Sequence, residues 1–271
     1  MTKPQTPGDN RTSEVLESSD APRRIVKFGP GSDINKGDEG LIIATILDTH
    51  LLVINKFCVF RPQYLLLTVN SYRRQYEPLD KDDLDAAWRF LDSAETPHFL
   101  IYNCMKEAGC SRDHKHMQIF SRTACMEEDC QFELFPDIIS QVPPVVPFRY
   151  FLHRFSKTAN VEPITGSSLL EVYETLLDEC KEALGLPKGA KKCPHNVVLV
   201  KEWMMLIPRR RAGVEGASAN AAGMMGMVWV MRDEQIEKWK ALGPSKVLSE
   251  LGVPCKSTRT NITDNRTCIL G

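Results

Sequence analysis

The sequence lacks several features that would place the protein in a familiar class. Its 271 residues contain no apolar run of transmembrane length, and residues 1–20, rich in Thr, Ser, Pro and acidic residues, lack the apolar run of a signal peptide. Charge of one sign is not in excess, since 34 Lys and Arg stand against 35 Asp and Glu. A near-neutral chain has no overall field for nucleic acid or an anionic membrane. We therefore expect no nucleic-acid or membrane partner and a cytoplasmic location, with a nuclear one as the alternative.

The nine cysteines form neither a metal-binding nor a disulfide pattern. They are odd in number and scattered, many of them in apolar segments, which is typical of buried thiols in a reducing compartment. The sequence has no Cys-x-x-Cys pair, and no further ligand at metal spacing accompanies its closest pair of histidines. We therefore expect no obligatory cofactor and leave a divalent cation such as magnesium as an open alternative.

The segment around two closely spaced histidines carries the strongest chemical pattern. Residues 98–103 and 116–120 alternate in character, which predicts two strands, and small residues between them predict a turn. Side chains two apart on a strand point to the same face, so His114, His116 and Gln118 are expected to line one surface. The Gly/Ser turn just before them can point backbone N–H groups at an anion.

An imidazole in such a row has three chemical roles open to it: metal ligand, general base, or nucleophile that carries a transferred group. Metal binding is the weaker interpretation, because further ligands at suitable spacing are lacking. Two histidines hydrogen-bonded within a packed sheet are the ordinary structural alternative. The neighbouring turn, with its capacity to bind an anion, weighs against that alternative.

The same segment resembles a known family. Asn103, then Ser111, then His-Lys-His-Met-Gln at 114–118 are similar to the active-site segment of the histidine-triad superfamily. The pattern is most similar to its nucleotidyl transferase branch, which has Gln where the hydrolases have a third His. The flanking segments 51–57 and 203–209 resemble the fungal diadenosine tetraphosphate phosphorylases, also called ATP adenylyltransferases.

The resemblance, which spans roughly residues 40–232, implies an enzyme that phosphorolyses diadenosine tetraphosphate to ATP and ADP through an adenylyl-histidine intermediate. It implies His116 as the nucleophile, with a main-chain carbonyl near His114 as the partner of the far ring nitrogen. Gln118 would hold phosphate oxygens without activating water. The implied ligands are the dinucleoside polyphosphate, ATP, ADP and inorganic phosphate.

Two departures from the family pattern leave alternatives open. Met105 stands where the family commonly has Gly, and the usual Pro shortly after Phe57 is absent. A histidine-triad hydrolase or transferase with another donor or acceptor is one alternative. A catalytically idle nucleotide-binding protein is the other.

The resemblance also implies a set of phosphate-binding residues. Lys56 is a suitable charge partner for phosphates, although a Lys at a strand end is commonly just exposed. Arg209 is implied as a second phosphate contact, although three consecutive Arg are more often a solvated surface. The predicted catalytic residues are His116, His114 and Gln118, and the predicted substrate-binding residues are Lys56, Asn55, Asn103, Gly109, Cys110, Ser111, Gln75 and Arg209.

The remaining pattern predicts an α+β fold, with a histidine-triad-like antiparallel sheet, flanking helices and two fused halves. Short aliphatic runs at 41–47, 50–57 and 64–69 predict an antiparallel meander, which is one of several candidates for the adenine slot. Apolar residues recurring at three and four positions predict amphipathic helices at 79–94 and 167–184. Later segments predict strands at 148–155, 194–200, 203–207 and 224–231 and helices at 233–242 and 244–251.

The Pro-rich stretch at 142–147 predicts a stiff connector between the halves. We expect a disordered tail at 1–22, an N-terminal half with the His-x-His-x-Gln site at 23–141, a C-terminal half of the same catalytic domain at 142–254, and a flexible tail at 255–271. A monomer and a homodimer both fit the sequence.

Overall fold

The computed structural model describes residues 32–33, 40–58, 61–122, 133–138, 145–156 and 163–255. Several predictions fall outside these residues. They concern the N-terminal tail, the loop at 59–60 where the family has its Pro, half of the 142–147 connector, and the C-terminal tail beyond residue 255.

One eight-stranded antiparallel sheet organises the fold. Its strands are β1 (Ile42–Ile46), β2 (His50–Ile54), β3 (Gln63–Thr68), β4 (His98–Cys104), β5 (His116–Ser121), β6 (Phe151–Arg154), β7 (His195–Leu199) and β8 (Trp203–Pro208). Their order across the sheet is β1-β2-β3-β5-β4-β7-β8-β6. Because β4 pairs with β7, strands from both parts of the chain share one sheet. The predicted α+β class with a large antiparallel sheet is confirmed.

In the part of the chain that the structure describes, five α-helices and a small hairpin accompany the sheet. They are α1 (Lys81–Ser93), α2 (Gly166–Ala183), α3 (Ala221–Met224), α4 (Asp233–Leu242), α5 (Pro244–Leu251) and the hairpin of β9 (Gly213–Val214) with β10 (Ala217–Ser218). The long helices begin with capping boxes, Asp80 with Asp83 in α1 and Thr165 with Ser168 in α2, which satisfy backbone N–H groups of the first turn. Gly185, at φ 68°, follows α2 in the left-handed conformation that commonly ends a helix.

Strand alternation divides the core between the two faces of the sheet. Leu66 of β3 and Leu100 of β4 pack with α1 and α2 on one face, here called the helix face. Phe99 and Ile101, their neighbours along β4, pack with α4 and α5 on the opposite face. Because each fully buried Leu or Phe side chain contributes roughly 2 kcal/mol, both faces hold the sheet in place.

The strand predicted at 224–231 is wrong. Asn220 accepts a hydrogen bond from the Gly223 N–H and caps the short helix α3, so this stretch begins as helix. Gly226, at φ 101°, then turns the chain away from regular structure. Met224 and Met225 are buried, as flexible apolar side chains that fill gaps in a core commonly are.

Among the residues that the structure describes, no helix is both long enough and apolar enough to cross a membrane.

Candidate active site

A cavity of about 820 Å³ lies on the face of the sheet opposite α1 and α2. Its floor follows from strand register, since Leu67 pairs with His116 and Leu65 pairs with Gln118 across β3 and β5. Paired residues of antiparallel strands point to the same face. His116 and Gln118 therefore enter the cavity beside aliphatic side chains, and both line it.

His116 is held in one tautomer. Its Nδ1 lies 2.8 Å from the carbonyl oxygen of His114, and because a carbonyl oxygen can only accept, Nδ1 carries the proton. The other ring nitrogen, Nε2, is then unprotonated in the neutral ring and available to attack. Burial lowers the pKa of His116 below its ordinary value, so the neutral ring is the form present near pH 7. The carbonyl partner implied by the family resemblance is present.

His114 does not join this row. β5 begins at His116, and the His114 ring points away, with Nε2 2.9 Å from the Thr68 carbonyl oxygen and Nδ1 accepting from the Asp33 N–H at 3.3 Å. It is fully buried and is not part of the cavity lining. The expectation that three side chains line one surface is therefore met only by His116 and Gln118. His114 acts on the site through its carbonyl group.

Lys115 lies between the two histidines in sequence, and its side chain is on the helix face, opposite that of His116. Its Nζ lies 2.5 Å from Asp83 Oδ2 and 2.7 Å from the Pro78 carbonyl oxygen. Asp83 Oδ1 in turn lies 3.1 Å from His50 Nε2. Burial alone would raise the pKa of the Asp83 carboxyl, but hydrogen bonds from His50 and Lys115 and the Lys115 charge hold it well below its usual range. This buried triad ties the start of β5 to α1.

Gln75 holds the backbone of the nucleophile instead of touching the cavity. Its Oε1 accepts from the His116 N–H at 2.8 Å, and its Nε2 donates to the carbonyl oxygens of His116 and Asn103 at 3.0 and 3.2 Å. The side chain is buried and does not line the cavity. Its predicted contact with phosphate is not what the structure shows, and we interpret Gln75 as a positioning residue.

The loop at 106–111 borders the cavity close to His116. Gly109, Cys110 and Ser111, which are predicted to bind substrate, all line it. Gly109 has φ 85°, and a Cβ there would lie 2.9 Å from the Ala219 carbonyl oxygen. Only glycine fits both constraints, so the close approach of this loop to residues 219–220 depends on it.

Arg209 lies beneath this loop and is fully buried. Its guanidinium donates to Asn196 Oδ1 at 2.5 Å and to the carbonyl oxygens of Ala108 at 3.3 Å and Ala219 at 2.8 Å. It does not line the cavity, so neither a direct phosphate contact nor a solvated surface position describes it. The Arg209 side chain holds the loop in place through these hydrogen bonds.

The charge of Arg209 meets only neutral acceptors among the described residues, namely carbonyl oxygens and one amide. Burial lowers the pKa of its guanidinium to about 9, which still leaves it charged at pH 7. A buried cation without a carboxylate raises the electrostatic potential around it. The loop above it is therefore a favourable place for an anion.

Asn103 is also structural. Its Oδ1 accepts from Asn196 Nδ2 and from the Ala221 N–H, both at 2.8 Å, and its side chain is buried outside the cavity lining. Asn103 thus joins β4 to β7 and to α3. The predicted substrate contact is not present in this arrangement.

Cationic side chains surround the cavity. Lys56 and Asn55, both predicted, line it, together with Lys106 and Arg112, which sequence reasoning missed. Asn55 Oδ1 accepts from the Phe57 N–H at 3.0 Å and shapes the turn that carries Lys56. Asp33 also lines the cavity and pairs with Arg112 at 2.8 Å, so three cations and one carboxylate leave a positive lining that suits a polyphosphate chain.

Gln63 is a further residue that sequence reasoning missed. It begins β3, lines the cavity, and its Nε2 donates to Gln118 Oε1 at 3.0 Å. A polar residue two positions before Leu65 was a weak signal, because only the strand register shows that it shares a face with Gln118.

Comparison with protein families agrees with this geometry. The description "Ap4A phosphorylase N-terminal domain" matches residues 34–132, and "ATP adenylyltransferase C-terminal domain" matches residues 144–254. The chain belongs to the Ap4A phosphorylase/ATP adenylyltransferase family. The family's two domains contribute to one sheet through the pairing of β4 with β7.

Individual proteins similar to this chain have low sequence identity to it. Protein APA1 of Saccharomyces cerevisiae is 26% identical over 205 residues, which cover 69% of this chain and 63% of that protein. This chain therefore spans less than two thirds of the length of APA1. Diadenosine 5′,5′′′-P1,P4-tetraphosphate phosphorylase 2 of the same yeast is 26% identical over 241 residues, 74% of this chain and 69% of that one.

Solved structures show the same fold. The crystal structure of yeast Ap4A phosphorylase Apa2 in complex with AMP matches with a TM-score of 0.65 and 24% identity, over 83% of this chain and 81% of that one. The structure of Apa2 with Ap4A matches with a TM-score of 0.62 and 24% identity, over 76% and 74%.

Proposed function

We propose that the protein phosphorolyses diadenosine tetraphosphate (Ap4A) to ATP and ADP through an adenylyl group carried on His116 Nε2. The observation that carries this proposal is the hydrogen bond from His116 Nδ1 to the His114 carbonyl oxygen, which leaves Nε2 unprotonated at the wall of a cavity lined by cations. The names of the yeast relatives support the choice of substrate.

In the first half-reaction, Nε2 of His116 attacks the α-phosphorus of Ap4A. The Nε2–P bond forms, the bond from phosphorus to the bridging oxygen breaks, and ATP leaves with that electron pair. The ring gains positive charge on becoming adenylylated, and the His114 carbonyl oxygen stabilises this charge through the proton on Nδ1.

Negative charge on the phosphoryl oxygens is stabilised by groups around the cavity. Gln118 and Ser111 lie beside His116 in the lining, and Lys56, Lys106 and Arg112 supply charge. One well-placed donor in such a site is worth ~3 kcal/mol, about a hundredfold in rate.

In the second half-reaction, an oxygen of inorganic phosphate attacks the adenylyl phosphorus. The P–O bond forms, the P–Nε2 bond breaks, ADP leaves and the neutral imidazole is restored. Gln118 has no acid or base function at neutral pH, so it can hold the intermediate without activating water. Aliphatic walls at Val53, Leu65 and Leu67 limit water and provide an apolar surface for one adenine.

Nucleotide analysis of the purified protein with Ap4A tests the proposal. We expect ADP and ATP in equal amounts, and only when phosphate is present. AMP released regardless of phosphate would instead assign the chain to the hydrolases, and measurable binding of Ap4A without turnover would make it an idle binding protein. A divalent cation enters the proposal only as an optional counter-ion of the polyphosphate, and assays in EDTA and in magnesium test this.

A covalent label tests the intermediate itself. Ap4A radioactive in its α-phosphates should transfer acid-labile, base-stable label to the intact chain when phosphate is withheld, and phosphate should then release the label as ADP. Label that attaches equally well to a His116→Asn variant would contradict the assignment of the nucleophile.

A further inference from the structure

Gln63 occupies an unusual position among the polar groups of the cavity. It is 3% exposed and lines the cavity at the start of β3. Its Nε2 donates to Gln118 Oε1 at 3.0 Å. Its own Oε1 is buried and has no hydrogen-bond partner among the residues that the structure describes.

The hydrogen bond from Gln63 decides which end of the Gln118 amide meets a ligand. A primary amide can offer either its oxygen, an acceptor, or its NH2 group, a donor. Because Gln63 occupies Oε1 of Gln118, the NH2 group is left to face the cavity. Phosphoryl oxygens are acceptors and need donors, whereas the opposite orientation would place oxygen against oxygen.

The unpaired Oε1 of Gln63 requires a different partner. A buried acceptor without a donor costs free energy, and native structures seldom leave one unpaired. Strand register places Gln63 opposite Phe120, one inward-facing position beyond the pair of Leu65 with Gln118 and two beyond the pair of Leu67 with His116. Each such step along a strand is roughly 7 Å. A ligand group at this acceptor would therefore lie beyond the Gln118 amide, roughly 14 Å along the strand from the level of His116.

We propose that Gln63 is both a positioning residue and a ligand contact in the site whose function is proposed above. Its Nε2 orients Gln118 as a donor to the phosphoryl oxygens, and its Oε1, which is screened from the cavity in this structure, accepts a hydrogen bond from a hydroxyl group of the bound ligand after a side-chain shift that exposes it. Two sources supply that chemistry, a ribose hydroxyl of the nucleotide and the P–OH of inorganic phosphate.

Substitution of Gln63 by a residue that titrates tests the orienting role. In Gln63→Glu the ionised carboxylate can only accept, so the Gln118 NH2 group turns toward it and kcat should fall about a hundredfold at about pH 8. Near pH 5.5 the buried carboxyl is protonated and donates to Gln118 Oε1 as Gln63 does. The kcat of Gln63→Glu, taken relative to wild type at the same pH, should therefore recover at least about tenfold. The kcat of Gln63→Leu should be lowered by about the same factor at both pH values.

Thermal unfolding of both variants separates this effect from misfolding, since a loss of folded protein would not reverse in acid for one variant alone. A pH-independent ratio between Gln63→Glu and wild type, or an unchanged kcat in Gln63→Leu, would overturn the orienting role.

Equilibrium binding by calorimetry tests the ligand contact without requiring turnover. If a ribose hydroxyl is the donor, wild type should bind AMP about tenfold more tightly than 2′-deoxy-AMP or 3′-deoxy-AMP, and Gln63→Leu should bind the corresponding pair equally. If the P–OH of phosphate is the donor, that discrimination should be unchanged, and the KM for phosphate should rise about tenfold in Gln63→Leu. A variant that alters neither quantity refutes the contact.

The two proposals fail in different ways. If wild-type protein does not release ADP and ATP from Ap4A, the proposed function is wrong whatever Gln63 does. If wild type turns over normally and the Gln63 variants match it in pH profile and nucleotide discrimination, only the inference about Gln63 is wrong.

Discussion

The two faces of β5 use similar residue types for different purposes. On the helix face, Lys115 is buried in an ion pair with Asp83, which also contacts His50. On the cavity face, counting contacts among the described residues alone, His116 has one ring nitrogen engaged, by the His114 carbonyl oxygen, and Gln63 keeps an unpaired buried oxygen. Fully paired polar groups hold a fold together, whereas polar groups with unused capacity are suited to meeting a ligand. The comparison therefore separates structural from chemical residues within one motif.

The strongest test of this comparison is to substitute one histidine on each face of the sheet. His116→Asn should reduce kcat at least roughly 10⁴-fold, because the nucleophile is lost. His195→Asn should leave kcat per folded molecule near the wild-type value but lower stability by about 2 kcal/mol, because it disrupts the hydrogen bond that the His195 ring donates to the Cys193 carbonyl oxygen and the one that it accepts from the Tyr173 hydroxyl. Turnover and urea unfolding of both variants measure the contrast, and a large kcat loss in His195→Asn would contradict it.

A pair of lysines sharpens the same contrast. Lys115→Met leaves Asp83 with His50 and the Asp80 N–H as hydrogen-bond partners but without its cation, and should cost about 3 kcal/mol of stability. Lys56→Met, at an exposed position in the cavity lining, should change stability by less than about 0.5 kcal/mol. Its turnover should nevertheless fall about a hundredfold, as expected for the loss of a charged phosphate contact.

Denaturation and single-turnover assays measure the two effects separately. Equal stability losses in the two lysine variants, or a greater loss of turnover per folded molecule in Lys115→Met, would show that the faces are not divided as proposed.

The helix face should also give the protein a pH-dependent stability. Burial lowers the pKa of His195 to about 4 from an ordinary 6.5, so the unfolded chain binds a proton between these pH values and the folded chain does not. Stability should therefore fall as pH drops from about 6.5 to about 4, by up to about 3 kcal/mol, since each pH unit contributes about 1.4 kcal/mol. Unfolding free energies over this range measure it. The part due to His195 should vanish in His195→Asn, and an unchanged slope there would refute the assignment.

Much of the framework could be predicted from the sequence, because alternation and capping are local signals. The meander, the two long helices and both closing helices follow from patterns that lie within each segment. His116 was assigned as the nucleophile through the family resemblance of the segment around it, which is also a local signal. The extension of its row to His114 failed because β5 begins only at His116, so the two-residue period does not reach His114.

The roles of Gln75, Asn103 and Arg209 could not be read from the sequence. A motif shows which residues accompany a site, but not whether a side chain faces the ligand or the backbone that holds the ligand-binding groups. Gln75 and Arg209 serve the backbone at His116 and Ala108. Gln63 was missed because its partnership with Gln118 joins positions 55 residues apart, which only the register of β3 with β5 establishes.

The smallest expected effect concerns the junction between β4 and the loop at 106–111, where Met105 lies. Met105 has φ 76° and ψ 165°, a region that glycine enters freely and other residues enter at a cost of roughly 1–3 kcal/mol. Hydrogen bonds hold it there, from the Met105 N–H to the Gln75 carbonyl oxygen and from the Ala108 N–H to the Met105 carbonyl oxygen. Met105 stands where the family commonly has Gly, and its backbone conformation is one that glycine adopts without strain.

Met105→Gly should relieve this strain and raise stability. The net gain should be only about 1 kcal/mol, because the variant also loses the packing of a half-buried side chain. Met105→Leu is the matched control, since it keeps a large apolar side chain and the same strained backbone and should gain nothing. Denaturant midpoints of the two variants decide the matter. If Met105→Leu is stabilised as much as Met105→Gly, side-chain packing and not backbone conformation limits stability at this junction.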